Sequence, residues 1–141
     1  MQNTGRATFT GGELALSMKV IPRLNISASY SYIERRNLEN PEILFTDVPK
    51  SKLFIYAQYQ HSKQLSVLAS VEYNSERVSK SYGIKVPAYV LSNLNLSAKV
   101  AKNIALETGI NNLFDVNYSI VEGYPEEGRN VFVTLRFFNY K

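Results

Sequence analysis

The sequence predicts an all-β fold: about seven antiparallel strands forming a portion of a transmembrane β-barrel. Three observations carry this. Hydrophobicity alternates with period two nearly throughout, and helical spacing is nowhere sustained over the ten to twelve residues that a helix needs. The connections alternate strictly between short and long, so all long loops fall at one end, as expected of short periplasmic turns and long extracellular loops. One face of each strand carries no charge.

The first strand is expected from Thr8 to Val20, with Gly11-Gly12 as a bulge or bend and Pro22 as its stop. The second runs from Leu24 to Ile33, the third from Lys52 to Gln60, the fourth from Leu65 to Asn74 and the fifth from Tyr89 to Val100. The sixth, Ile104 to Ile110, leads through the hinge Asn111-Asn112-Leu113-Phe114-Asp115 and a Gly- and Pro-bearing loop to a last strand ending near Phe138. Short connections lie at Val20 to Leu24, His61 to Gln64 and Ala101 to Asn103. Long ones lie at Glu34 to Ser51, Ser75 to Ala88 and Val116 to Asn130.

The uncharged face carries runs such as Leu14, Leu16, Met18 and Val20; Leu65, Val67, Ala69, Val71 and Tyr73; and Val131, Val133, Leu135 and Phe137. Only Thr108 and Asn112 interrupt its apolar character. A Lys or Arg facing lipid costs about 2–4 kcal/mol at mid-membrane, which explains the exclusion. The opposite face carries Ser, Asn, Gln, Glu and Lys. Tyr30, Tyr32, Tyr73 and Phe114 fall at the long-loop ends of the apolar face and Tyr59 and Phe137 at the short-turn ends, as two aromatic girdles. A soluble β-sandwich or small closed barrel would bury the same face as a core, and is the alternative.

Composition narrows the function. The 141 residues suit one domain without an internal linker, and 45% hydrophobic with 12% aromatic content excludes disorder. With no Cys there is no disulfide framework, thiol nucleophile or Cys-ligated metal. The net charge of +4 comes from scattered Lys and Arg rather than a phosphate-tracking patch, so nucleic acid is not an expected partner. No apolar run reaches the ~18 residues of a membrane-crossing helix, and the Met1-Gln2-Asn3 start lacks signal-peptide features. His61, the only His, sits in a short turn without triad or metal partners, and Glu126-Glu127 are adjacent and diverging. No enzyme and no cofactor or metal site is expected. Ligand-contact candidates are Arg77, Lys80, Tyr82, Tyr118 and Tyr124 in the long loops; Arg35, Arg36 and Lys85 are loop cations with solvation as the simpler reading, and Tyr89, at the head of the fifth strand, either stacks on a ligand or packs the loops.

Ile110-Asn111-Asn112-Leu113-Phe114-Asp115, then Tyr118, Gly123-Tyr124-Pro125, Gly128-Arg129-Asn130 and an amphipathic last strand resemble the C-terminal end of the TonB-dependent receptors of Gram-negative outer membranes. Asn3-Thr4-Gly5-Arg6-Ala7 before Gly12-Glu13-Leu14, Ser29-Tyr30-Ser31-Tyr32 and Val48-Pro49-Lys50-Ser51-Lys52 are similar to earlier family strands. The resemblance implies an importer of scarce nutrients such as ferric siderophores, haem or cobalamin, built as a barrel of about 22 strands around a plug domain. Residues 1–141 are then expected to be the C-terminal segment of that barrel, lacking the plug and the TonB-contacting box. The implied partners are outer-membrane lipid, the rest of the barrel and its plug, the TonB complex through an N-terminal part outside this sequence, and the outer-membrane assembly machinery. Phe132, Leu135, Phe137 and Phe138 are similar to the terminal-strand signal that this machinery captures by edge addition.

Overall fold

The computed structural model describes residues 5–79 and 84–138, and among these there is no helix. The elements are β1 (Ala7–Ile21), β2 (Leu24–Asn37), β3 (Ser51–Gln60), β4 (Leu65–Asn74), β5 (Arg77–Val78), β6 (Lys85–Val86), β7 (Tyr89–Ala101), β8 (Ile104–Asn111), β9 (Ser119–Val121), β10 (Tyr124–Pro125) and β11 (Asn130–Phe137). Seven long strands form one antiparallel sheet in the order β1-β2-β3-β4-β7-β8-β11; β5 with β6 and β9 with β10 make two small hairpins inside long loops. The seven expected strands are therefore present to within a few residues, and the four short ones are additional.

The register joins the strand faces into one surface. Directly opposed residues in an antiparallel pair share a face, and one row crosses all seven strands: Met18, Ile26, Ala57, Ala69, Leu94, Ile110 and Val131. Every member is apolar. The next row on the other face reads Lys19, Asn25, Gln58, Leu68, Asn95, Gly109 and Phe132. A one-residue slip of β1, β2, β3 or β7 toward these neighbours would put Lys19, Asn25, Gln58 or Asn95 into the apolar row, so the alternation bears on the register as well as the fold class. The apolar row starts near the short-turn end of β1 and finishes near the long-loop end of β11, the stagger that tilted barrel strands require.

Among the described residues nothing covers the apolar face. Leu16 is 62% exposed and Val133 70%, while Ile26, Val67 and Leu106 are only half-buried, by neighbours within the sheet. Among the described residues the buried hydrophobic ones are Val86, Tyr89 and Ala105, too few and too scattered to be a core. A sandwich needs a second sheet about 10 Å away with interdigitating side chains; the described residues contain only this large sheet, which excludes that alternative. Polar groups on the opposite face pair laterally, through Ser17 with Ser27 at 2.6 Å, Asn93 donating to Ser70 at 3.3 Å and Arg136 donating to Glu107 at 2.9 Å.

The sheet is open. Its edges are β1 and β11, and both run from the long-loop end to the short-turn end, so joining them directly would make a parallel seam in an antiparallel sheet. Three details differ from the expectation. The Gly pair is not a bulge: Gly11 opposes Ile33 and Gly12 opposes Tyr32 in unbroken register, and the shift comes between Lys19 and Ile21, beside the tight turn. Gly11 serves close approach instead, since a Cβ there would lie 2.3 Å from the Tyr32 carbonyl oxygen. Arg35 and Arg36, expected in a loop, belong to β2, because β1 continues to pair up to Asn37. Finally, β8 stops at Asn111, so Asn112 and Phe114 belong to the turn beyond it and not to the strand face.

Candidate functional site

The β1–β2 hairpin outreaches its neighbour. Pairing of β2 with β3 ends at Tyr32 and Ser51, yet β2 continues for five residues, a wall projecting about 16 Å at the usual strand rise. Strand alternation puts Arg36 and Glu34 on the outward face, where they pair at 3.0 Å above the girdle residues Tyr30 and Tyr32, and puts Phe9 and Arg35 on the inward face. The loop of residues 38–50 folds over that inward side. Arg35 donates to the carbonyls of Val48 (3.0 Å), Thr46 (3.4 Å) and Phe45 (3.5 Å) and lies over the Phe45 ring, which also meets Phe9 at 5.5 Å. Asp47 takes a left-handed conformation (φ 64°) that a short polar side chain tolerates. A cleft of about 460 Å³ lies between this loop and the next, lined by Tyr32, Arg35, Phe45, Lys50, Arg77 and Lys85. It is mixed in character, with cations outnumbering the acid Glu76, which Lys85 pairs at 2.6 Å.

The other two long loops meet through Arg77. Its guanidinium is nearly inaccessible, the residue being 5% exposed. It donates through Nε to the Ile120 carbonyl at 2.9 Å and through Nη2 to the Ile120 and Ser119 carbonyls, and it lies over the Tyr89 ring at 5.6 Å. A planar fork of donors suits two adjacent strand carbonyls in a way an ammonium cannot. Ser79 hydrogen-bonds Glu122, β6 packs against β9, and the rings of Tyr89 and Tyr118 lie 4.7 Å apart. Burial in this contact, followed by the nearby Glu126 carboxylate, raises the Tyr118 phenol above its ordinary value.

The hinge after β8 ties the base of the last loop. Asn112 (φ 50°) and Asp115 (φ 56°) are both left-handed, a conformation in which Asn and Asp are enriched. Asn112 is 4% exposed; its Oδ1 accepts from Val116 N at 2.8 Å, and its Nδ2 donates to the carbonyls of Val116 at 2.9 Å and Glu127 at 3.4 Å. Asn93 Oδ1 accepts from Asn112 N, and Asp115 Oδ1 accepts from Arg129 N at 2.7 Å. The departing and returning limbs of the loop are thereby clasped. The side-chain pattern of the Asn-Asn-Leu-Phe-Asp stretch is what makes the long loop compact at its root.

The sequence candidates are spread over this cap in different settings. Arg77 and Tyr118 are engaged in packing the loops together, whereas Tyr124 is 72% exposed at the β10 hairpin. Lys80 and Tyr82 lie outside the described residues. Leu135 and Phe137 are on the apolar face and exposed; Phe132 is on the other, over Gly109, where a Cβ would come 2.7 Å from its ring. Phe138 follows the strand, its N–H donating to the Asn103 carbonyl. His61 is at the short-turn end, away from the cap, with Arg23 donating to its carbonyl. Among the described residues no three His, Cys, Asp or Glu side chains converge as a metal site. Sequence reasoning missed the roles of Asp47, Asn112 and Glu122; for Asn112, its place two residues past an alternating strand and three before Asp115 was the available signal.

Comparison with known proteins gives a consistent answer. The family model described as TonB dependent receptor-like, beta-barrel, matches residues 1–113. Among curated proteins, the chain is 27% identical to the probable TonB-dependent siderophore receptor PiuA of Acinetobacter baumannii, over 96% of this chain and 21% of that protein. It is 28% identical to the metal-pseudopaline receptor CntO of Pseudomonas aeruginosa, over 95% and 21%. The chain thus spans about a fifth of the length of these relatives. Among solved structures it overlays the Acinetobacter baumannii receptor PiuA with a TM-score of 0.80 (24% identity; 93% of this chain, 22% of that one). A variant of the Pseudomonas aeruginosa ferric enterobactin receptor overlays with a TM-score of 0.82 (22% identity; 96% and 23%). The match over residues 1–113, on an open sheet whose outward face is uncharged between its aromatic girdles and whose long loops all gather at one end, establishes that the chain belongs to the TonB-dependent receptors and forms part of their β-barrel.

Proposed function

We propose that this chain is the C-terminal part of an outer-membrane receptor barrel that imports a scarce nutrient, a ferric siderophore, haem or cobalamin, with its long loops outside the cell. The observation that carries the reading is the apolar row crossing all seven strands without a covering layer, the form expected of a sheet solvated by lipid. The relatives named as a probable siderophore receptor and a metal-pseudopaline receptor support the siderophore class among these substrates. The two same-direction edges call for oppositely running strands from the rest of a barrel, and its lumen would hold the plug and connect to the TonB complex. Phe132, Leu135, Phe137 and Phe138 on and after the β11 edge would serve recognition by the assembly machinery. Ligand contact is assigned to the inward side of the cap, with Tyr124 and the cleft cations Lys50 and Lys85 as the accessible groups, and Lys80 and Tyr82 as the remaining sequence candidates.

The test is uptake by cells. Deleting the gene should abolish energy-dependent accumulation of one radiolabelled ferric siderophore, haem or cobalamin, and fractionation of the parent strain should recover the protein with the outer membrane. Unchanged uptake of all three classes, or a protein recovered from the soluble fraction, would overturn the proposal.

A further inference from the structure

We infer that the short-turn end of the sheet is a cationic rim that selects anionic phospholipid headgroups in the leaflet it faces, with Arg23, Lys63 and Lys102, one on each short turn, as the selecting groups. The inference rests on the reading of the sheet as part of an outer-membrane barrel with its long loops outside, and adds which lipid the opposite end takes. The net charge of +4 is sorted by end once the strands are paired. The long-loop segments, residues 34–52, 72–89 and 112–130, hold ten acids against eight Lys and Arg. The short turns with their flanks, residues 19–25, 58–66 and 99–105, hold Lys19, Arg23, Lys63, Lys99 and Lys102 and no acid. All five cations are exposed. Like charges gathered at one end repel one another, so a counter-charge from outside the chain stabilises this arrangement.

The depth of the rim points to lipid as the source of that charge. Tyr59, in the lower aromatic girdle, is level with Leu24, the neighbour of Arg23, and Phe137 is level with Ile104, two residues from Lys102. At about 3.3 Å per residue the turn cations stand within about 7 Å of the girdle, the depth of the headgroup layer that borders the hydrocarbon. The three turns join β1 to β2, β3 to β4 and β7 to β8, so successive turns lie two strands, about 10 Å, apart along the rim. Single charges at that interval suit separate headgroups better than one compact polyanion. Among the described residues Arg23, Lys63 and Lys102 make no ion pair, whereas Arg36 and Lys85 at the long-loop end are paired with Glu34 and Glu76, and Arg136 with Glu107. Arg23 donates Nη1 to the His61 carbonyl at 3.0 Å, which holds its guanidinium against the adjoining turn. Each turn cation should favour an anionic over a zwitterionic headgroup beside it by about fivefold at low salt.

The experiment places the full-length receptor in vesicles of phosphatidylethanolamine with phosphatidylglycerol and adds a trace of either lipid carrying a spin label on its acyl chain. Electron paramagnetic resonance separates lipid immobilised at the protein from bulk lipid. Labelled phosphatidylglycerol should exceed labelled phosphatidylethanolamine in the immobilised fraction, and the excess should shrink as salt is raised. Replacing Arg23, Lys63 and Lys102 together by Gln should remove most of the excess. Lys63→Gln with Lys102→Gln, which leaves the Arg23 hydrogen bond in place, should remove part of it, and Arg23→Lys should keep it. Arg36→Gln, at the other end, should also keep it. An inserted receptor with no excess, or an excess unchanged in the triple variant, would overturn the inference and leave the rim to a soluble acidic partner. Equal loss in Arg36→Gln and the triple variant would overturn it too, by moving the preference to the long-loop end. Heat-modifiable gel mobility reports insertion separately: a receptor that never enters the vesicles would overturn the barrel reading, and this inference with it.

Discussion

Replacing Asn112 tests how the long loop after β8 is held. Its side chain makes three hydrogen bonds, two with Val116 and one with Glu127, at a residue 4% exposed and at φ 50°. At about 1 kcal/mol for each bond, Asn112→Gly should destabilise the closed loop by about 3 kcal/mol while leaving the backbone at ease. Asn112→Ala loses the same bonds and adds the left-handed cost of a Cβ, about 1–2 kcal/mol, for a total of about 4–5 kcal/mol. The quantity to measure is amide hydrogen exchange at Val116 and Arg129, whose N–H groups are held by Asn112 and Asp115. With about 1.4 kcal/mol per decade, Val116 should exchange about 100-fold faster in the Gly variant and about 1,000-fold faster in the Ala variant. Exchange at wild-type rates in the Gly variant would refute the clasp. Equal rates in the Gly and Ala variants would refute the strain.

Gly11→Val should destabilise the β1–β2 pair by about 1–3 kcal/mol because its Cβ meets the Tyr32 carbonyl, while Gly12→Ala, with open space around it, should change stability by less than about 0.5 kcal/mol; urea unfolding in lipid vesicles measures both. In the same assay Ile55→Lys, on the apolar face, should cost about 2–4 kcal/mol, and Gln58→Lys, on the polar face, far less; equal costs would contradict the assignment of faces. The Tyr118 phenol is raised, so its contribution to cap stability is present in full below the free-phenol value of 10.0 and is lost as pH rises through the higher folded value. Late phenolate absorbance should therefore fall by the amplitude of one tyrosine in Tyr118→Phe, and an unchanged late amplitude in that variant would assign the signal elsewhere.

Much of the sheet was legible in the sequence because the same information is written twice, once in the alternation along a strand and again in the register between strands. Met18, Ile26 and Ala57 were each assigned to the apolar face from their own neighbours, and the structure then places them side by side. The cap was not legible in this way. A strand of two residues such as Arg77–Val78 has no period, and its meaning comes from Ser119 and Ile120, 42 and 43 residues away in sequence. Gly11-Gly12 shows a different limit: a Gly in a strand can signal a bulge or a close approach, and only the position of the Tyr32 carbonyl decides. For Asn112 the residue type was suggestive of a left-handed turn, but the partners Val116 and Glu127 depend on how the loop returns.

The central claim is that the uncovered apolar face meets lipid and the opposite face lines an interior. Its most direct test is a nitroxide scan along β4, from Ser66 to Tyr73, in the full-length protein in lipid vesicles. Collision rates with oxygen, which concentrates in hydrocarbon, should alternate residue by residue, high at Val67, Ala69, Val71 and Tyr73 and low at Ser66, Leu68, Ser70 and Glu72. A flat profile, or high oxygen accessibility at the Ser66 and Ser70 set, would contradict it.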